Sequence, residues 1–423
     1  MNFRRLTLLV FVLSALMTIR AQAPYKPIPT TPHQDATKEC LLFPSGDTLA
    51  LEPLFNFLDE YMFDGANKKF TILHMGGSHI QAGVFTNRMR NHLLTLYPAM
   101  ESDRGILFPF SLAGTNNQVS FKTNYTGKWS AIRNVVKEPK YKMGLAGFCA
   151  VPLDTHCTFT IIVNKNDSIK FDFTTVTLLG YSDSSWVYPQ LYYHDSVLVQ
   201  GKFDEQHLAY IFELDTFVNS FKIIFAMEDS LWQDFYLRGV YLENHQPGLS
   251  YVDIGVNGAA VPSYLRCEWM VKDLELLKPD MCIFSIGIND ASGTDFDTTV
   301  FINNYKALIN RIRSVSPHCI LLFTTNNDSY RKSGRKYYNN KNGYLAEQAF
   351  ISLAKYYHTA VFDWFDYMGG LTSMADWEKA GLAKKDKVHF TNEGYKLLGD
   401  LLYNALITRY IEHIRLNPKT TTR

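Results

Sequence analysis

The sequence predicts an α/β protein: a parallel sheet covered by helices on both faces, with a long all-β segment inserted into it. Two observations carry this. Strand-like apolar runs alternate with helix-like amphipathic runs near residues 49–98 and again after residue 246, the pattern of βα units. Between them, from about Arg104 to Glu243, runs such as "FTIIVN", "IKFDFTTVTLLGY" and "FKIIFAME" cluster β-formers between turn residues, with no long helix, which predicts a sandwich.

The elements follow in order. "LALEPLFNFLDEYMF" (49–63) has apolar residues at helical spacing, "KFTILHMGG" is a strand, and "QAGVFTNRMRNHLLTLYP" is a helix closed by Pro98. After the β-rich block, "LSYVDIGVN", "DMCIFSIG", "CILLFTT" and "TAVFDWF" are strands. "AVPSYLRCEWMVKDLELL", "TVFINNYKALINRIRSV", "NGYLAEQAFISLAKYY" and "TNEGYKLLGDLLYNALITRYIEHI" are the helices between and after them. The expected organisation is a leader at 1–21, a linker or arm at 22–48, core at 49–103, inserted sandwich at 104–245, core at 246–415 and a tail at 416–423. The leader rests on Arg4 and Arg5 before the apolar run Leu6–Ile19, the form of a secretory signal peptide. Cleavage is expected after Ala21, because a cut after Ala23 would leave Pro24 at the new terminus. The protein is therefore expected to be exported, periplasmic or extracellular, with no membrane span after cleavage.

Composition excludes some classes. The 423 residues are 46% hydrophobic and 20% charged, with a net charge of +1. No basic surplus is available for phosphate contacts, so no nucleic-acid partner is expected. The six cysteines do not make a disulfide scaffold, although Cys149 and Cys157 are close enough in sequence to bridge two β-segments. No C-x-x-C or H-E-x-x-H spacing occurs, and neither a metal nor an organic cofactor is implied.

Ligands of open α/β sheets sit beyond the carboxyl ends of the strands. Those ends carry Ser78 and His79 in "HMGGSHIQAG", Gly258 in "IGVNGA", Asn289 in "GIND", and Asp386 with His389 in "DKVHF". The set meets the requirements of acyl transfer. Ser78 would be the nucleophile, His389 its base and Asp386 the acceptor that orients the base. The Ser78 and Gly258 N–H groups and the Asn289 amide would form an oxyanion hole.

Taken in this order, the four blocks resemble those of the SGNH (GDSL-like) hydrolases, over residues 50–98 and 248–412. The resemblance implies a flavodoxin-like three-layer α/β/α core and the same roles for Ser78, Gly258, Asn289, Asp386 and His389. One departure is Gly77, where the family's first block usually has aspartate. The β-insert and its lead-in "RGILFPFSLAGTNNQ" are similar to the peptidoglycan O-acetylesterases of this family. That implies an exported esterase acting on an acetylated carbohydrate. An O-acetyltransferase using the same site, or a silent glycan-binding protein, are the alternatives. His79, Arg331 and Arg335 of the basic stretch "NNDSYRKSGRKYYNNKN", and Trp377 are candidate substrate contacts. Trp129, Tyr181, Trp186, Tyr192 and Trp232 of the insert are candidates for stacking on sugars or, alternatively, for the sandwich core.

Overall fold

A computed structural model describes residues 24–33, 39–97, 100–164, 169–182, 188–194, 196–226 and 234–417. The expected leader, Trp186 and Trp232 lie outside these residues.

The core sheet has six strands: β1 (Leu41–Leu42), β2 (Lys69–Gly76), β3 (Gly248–Gly255), β4 (Met281–Ser285), β5 (Ile320–Thr324) and β6 (Ala360–Phe362). Their order is β1-β6-β5-β4-β2-β3, all parallel except for the β1–β6 pair. β1 falls within the stretch expected to be a linker. It is two residues long, too short to show periodicity, and is held by pairing at the edge.

The strands are apolar on both faces because helices cover both, as a parallel sheet requires. One face buries Phe70, Ile72, Tyr251 and Ile283 under α1 (Glu52–Phe63), α3 (Val84–Leu94) and α10 (Asn392–Leu416). The other buries Met75, Ile254, Phe284 and Phe323 under α5 (Met270–Leu277), α6 (Thr298–Arg313) and α7 (Asn342–Tyr356). Between α1 and α3 lies the short α2 (Ser78–Gln81); α4 (Val261–Leu265) precedes α5, and α8 (Trp364–Tyr367) and α9 (Met374–Lys379) precede α10. Two sequence expectations of single long helices are thus corrected. Gly83, at φ +73, separates α2 from α3, and a non-helical stretch at 266–269 separates α4 from α5.

The insert is a two-sheet sandwich. One sheet has the strands 197–200, 188–193, 220–226, 158–162 and 122–126 in that order; the other runs 202–204, 209–218, 173–182, 235–243, 148–152 and 129–133. Its interior is aromatic: Phe159, Phe221, Phe225 and Phe235 are buried, and Trp129 meets Phe159 and Phe225 edge-on at 6.3 and 5.6 Å. Trp129 therefore belongs to the packing of the sandwich. Tyr181 packs on Tyr236 and Trp269, and the Tyr192 hydroxyl turns to Gln190. Cys149 and Cys157 do not bridge. Cys149 is in the strand 148–152 and Cys157 just precedes the strand 158–162 of the other sheet; all six cysteines are free thiols, with the Cys157 thiol donating to the Lys128 carbonyl.

Two fully buried ion pairs fasten the insert to the core. Arg238 of the insert donates to Asp273 on α5 at 2.9 Å, and Asp273 also accepts from the Leu145 N–H at 2.8 Å. Arg104, at the start of the insert, donates to Asp253 of β3 at 2.9 Å. Among the described residues, no helix is long and apolar enough to cross a membrane.

Candidate active site

From β2 the chain passes to one neighbour, β3, and then to the opposite neighbour, β4. The switch point therefore lies at the carboxyl end of β2, where α/β sheets place their ligands. Ser78 is the second residue after that end, at the start of α2. Gly76 makes the close turn possible: a Cβ there would stand 2.1 Å from Ile80 Cγ1, so only glycine lets α2 fold back onto the strand.

The loop that holds Asp386 and His389 meets Ser78 at this end. Ser78 Oγ lies 2.8 Å from His389 Nε2, and His389 Nδ1 lies 2.9 Å from Asp386 Oδ2. Oδ1 of Asp386 accepts from the Val388 and His389 backbone N–H groups, each at 2.9 Å. Burial works against ionisation of this carboxyl, but these N–H groups and the imidazole outweigh it and hold its pKa below the ordinary value. Asp386 is thus an anionic acceptor that fixes the ring of His389, leaving Nε2 for the serine. The D-x-x-H spacing produces this because the intervening Lys387 takes a left-handed φ of +56, which turns the loop back on itself.

The residues expected as oxyanion donors are Ser78, Gly258 and Asn289. As the first residue of α2, Ser78 has an N–H without an intrahelical acceptor. Gly258 has φ +84, and a Cβ there would stand 3.7 Å from Val135 Cγ1 of the insert. The Asn289 amide donates one hydrogen to the Ala259 carbonyl at 2.9 Å, which fixes its plane and leaves the second hydrogen for a ligand. A Cβ at Gly77 would stand 3.3 Å from Asn289 Nδ2, so an aspartate there would press on that amide.

Supporting residues that sequence reading missed hold this arrangement. Gln81 accepts from the Asn257 N–H at 2.6 Å and donates to Thr115 at 2.9 Å, tying the Gly258 loop to the insert. Tyr264 donates to the Gly76 carbonyl at 2.8 Å. Both oxygens of Asp290 lie 3.1 Å from the Val261 N–H at the start of α4, joining the Asn289 loop to the Gly258 loop. Of these, Gln81 and Asp290 stand inside motifs of the sequence, "HMGGSHIQAG" and "GIND", and Tyr264 left no signal.

The four candidate substrate contacts fare differently. His79 is half-buried and packs against the core. Its Nδ1 is 2.7 Å from the Tyr395 hydroxyl, its ring packs against His389 at 5.3 Å, and it lines a cavity of about 30 Å³ with Phe85, Ser285, Trp364 and Leu398. Burial pushes its pKa down to about 3, so it is neutral beside the base. Trp377 does not wall the site. It is fully buried between Trp364 and Phe390, and its indole N–H donates to the Met368 carbonyl. Arg331 is half-buried and bonded to Asn340. Arg335 is exposed near the turn of a hairpin formed by Tyr330–Ser333 and Lys336–Asn339.

The comparisons bear on this site. Residues 231–397 match the family described as GDSL-like Lipase/Acylhydrolase. Over that stretch the chain is similar to the GDSL-like hydrolases. The matched region holds Gly258, Asn289, Asp386 and His389, while Ser78 lies before the insert and outside the match. Among solved structures, the chain is similar to one described as "Peptidoglycan O-acetylesterase in action, 5 min", at 19% identity and a TM-score of 0.71, covering 88% of this chain and 99% of that one. That extent includes the insert, so the two-module fold is shared. An acetyl xylan esterase is similar over 37% of this chain and 81% of its own, at 20% identity and a TM-score of 0.31. A GDSL-like lipase from Bacteroides thetaiotaomicron is similar over 38% and 76%, at 17% identity and a TM-score of 0.30. No curated protein matches in sequence.

Two predictions arise from this geometry. Asn289→Ala removes one donor and frees the Ala259 carbonyl, so kcat should fall by about 10²–10³-fold with KM little changed. Steady-state kinetics on an activated acetate ester checks this. Asp290 titrates near neutrality, because burial raises its pKa to about 7 against the two N–H groups that lower it, those of Val261 and of Asp290 itself. A carboxyl raised in the folded state favours the fold below its unfolded pKa and loses that contribution as pH rises toward 7. Asp290→Asn should therefore gain stability relative to the parent between pH 5 and pH 8, approximately. Urea midpoints across that range give the result, and parallel pH profiles for the two proteins would contradict it.

Proposed function

We propose that this protein is an exported serine esterase that removes O-acetyl groups from a carbohydrate, with Ser78, His389 and Asp386 as its catalytic residues. The observation that carries the reading is the hydrogen-bonded chain Ser78–His389–Asp386, with the Asn289 amide 3.3 Å from the Cβ position of Gly77, next to the serine. Ser78 Oγ attacks the acetyl carbonyl carbon while His389 Nε2 takes its proton, and the tetrahedral oxyanion is held by the Ser78 and Gly258 N–H groups and the Asn289 amide. The C–O bond to the sugar breaks, and the departing oxygen takes the proton from His389. A water then attacks the acetyl-serine, giving up a proton to His389. Acetate leaves as that proton returns to Ser78. Asp386 stays ionised throughout and stabilises the imidazolium.

The glycan assignment is supported by the architecture shared with a peptidoglycan O-acetylesterase over nearly the whole of both chains. Export is supported by the sequence of the leader. The test is acetate release from O-acetylated peptidoglycan and from acetylxylan by the mature protein. Release from either polymer supports the reading and begins to name the substrate. Release from a small activated ester alone would remove the glycan assignment.

A further inference from the structure

We infer that the hairpin 330–339 is a subsite for carboxylate groups on the glycan, so that the enzyme selects acetylated polysaccharides carrying uronate or lactyl-type carboxylates over neutral ones. This rests on the esterase reading for its glycan, though not for its charge.

The inference starts from charge in one place. Residues 329–341 hold Arg331, Lys332, Arg335, Lys336 and Lys341 with no acid, and the adjoining His389 loop adds Lys384, Lys385 and Lys387 against Asp386 alone, in a chain whose net charge is +1. Asp386 is already committed to His389. Of these cations, Arg331 is bonded to Asn340, and Lys387 pairs with Glu378 while lying 5.0 Å over the Tyr330 ring. Lys332, Arg335, Lys336, Lys384 and Lys385 are exposed.

The fold places this cluster at the site rather than on a remote face. The Tyr330 N–H donates to the Lys387 carbonyl at 3.1 Å, two residues before His389. At the other end, the Asn340 and Asn342 side chains donate to the Ala291 carbonyl at 3.0 and 3.1 Å, two residues after Asn289. The hairpin is therefore fastened to the loop of the base and to the loop of an oxyanion donor. Its free strand presents Tyr337 and Tyr338, both exposed, beside the cations. Exposed aromatic rings next to guanidinium and ammonium groups suit a sugar ring bearing a carboxylate: the ring face covers the C–H side, and the cations meet the acid. A hairpin kept only for solubility would need no anchoring to two active-site loops and no exposed tyrosine pair.

The test uses the whole chain with Lys332, Arg335 and Lys336 all changed to Gln, and a control carrying Arg335→Lys and Lys332→Arg, which keeps the charge. Retardation in gels containing polygalacturonate or xylan reads binding without requiring turnover. The parent and the charge-keeping control should bind polygalacturonate more tightly than xylan. The triple variant should lose on the order of tenfold on polygalacturonate only, with its salt dependence flattened. Equal binding of the parent to both polymers, or a triple variant indistinguishable from the parent, would overturn the inference. Failure of the esterase reading would show instead as no Ser78-dependent ester hydrolysis, whatever the gels give. Where hydrolysis is present, the ratio of kcat/KM on acetylated polygalacturonate to that on acetylxylan should fall in the triple variant, through KM.

Discussion

Ser78→Ala is expected to lower kcat on an activated acetate ester by about 10⁴–10⁶-fold. The hydroxyl is the only group in the arrangement that can accept the acyl group. The oxyanion donors remain in the variant and account for whatever rate persists above that in water. His389→Ala should cost a similar factor, because Ser78 Oγ then loses the base 2.8 Å away. The double variant should lose little more than either single one, since the two act as a unit. Independent, multiplying losses would mean that the two residues do not share a step. Thermal unfolding of both variants should stay close to that of the parent, because the two side chains are only part-buried.

The largest effect on stability is expected away from the chemistry, at Asp253. This fully buried carboxylate accepts from Arg90 at 2.6 Å, Arg104 at 2.9 Å and Thr86 at 2.5 Å. Burial alone would raise its pKa, but the two guanidinium groups reverse that and hold it below the ordinary range. Arg104 also donates to Gln118 and Ser120, so one network joins β3, α3 and the first turns of the insert. Asp253→Ala leaves two guanidinium groups buried without their counter-ion, a change that costs about 3–5 kcal/mol. Asp253→Asn retains an acceptor and should cost less. Urea unfolding followed by tryptophan fluorescence measures both, and a loss below about 1 kcal/mol for Asp253→Ala would show that the network is not what joins the modules.

The reach of the sequence can be judged from these residues. Ser78, Asp386 and His389 were legible because their local surroundings repeat the chemistry: a glycine-flanked turn after a strand, and an acid three residues before a histidine. The βα alternation was legible because both faces of the sheet are covered, which makes its strands continuously apolar. What was not legible depends on contacts between distant residues. Asp253 meets Arg104 across 149 positions, and Asp290 meets Val261 across 29. Asp290 stands in a motif, but nothing in any of these stretches says which distant residue it meets. The hairpin at 330–339 was missed as an element because its strands are polar on both faces. Trp377 and His79 show one limit: proximity in sequence to the site does not say on which side of a loop a ring packs. Both turn toward the core.

The central claim is that Ser78 is the nucleophile activated by His389. Its most direct measurement is peptide mapping after reaction with a fluorophosphonate, which bonds covalently to an activated serine hydroxyl. The account predicts one phosphonyl group per chain, on the peptide that holds Ser78, with loss of esterase activity in step with labelling and no labelling in His389→Ala. Label on another residue, or full esterase activity with Ser78 blocked, would contradict it.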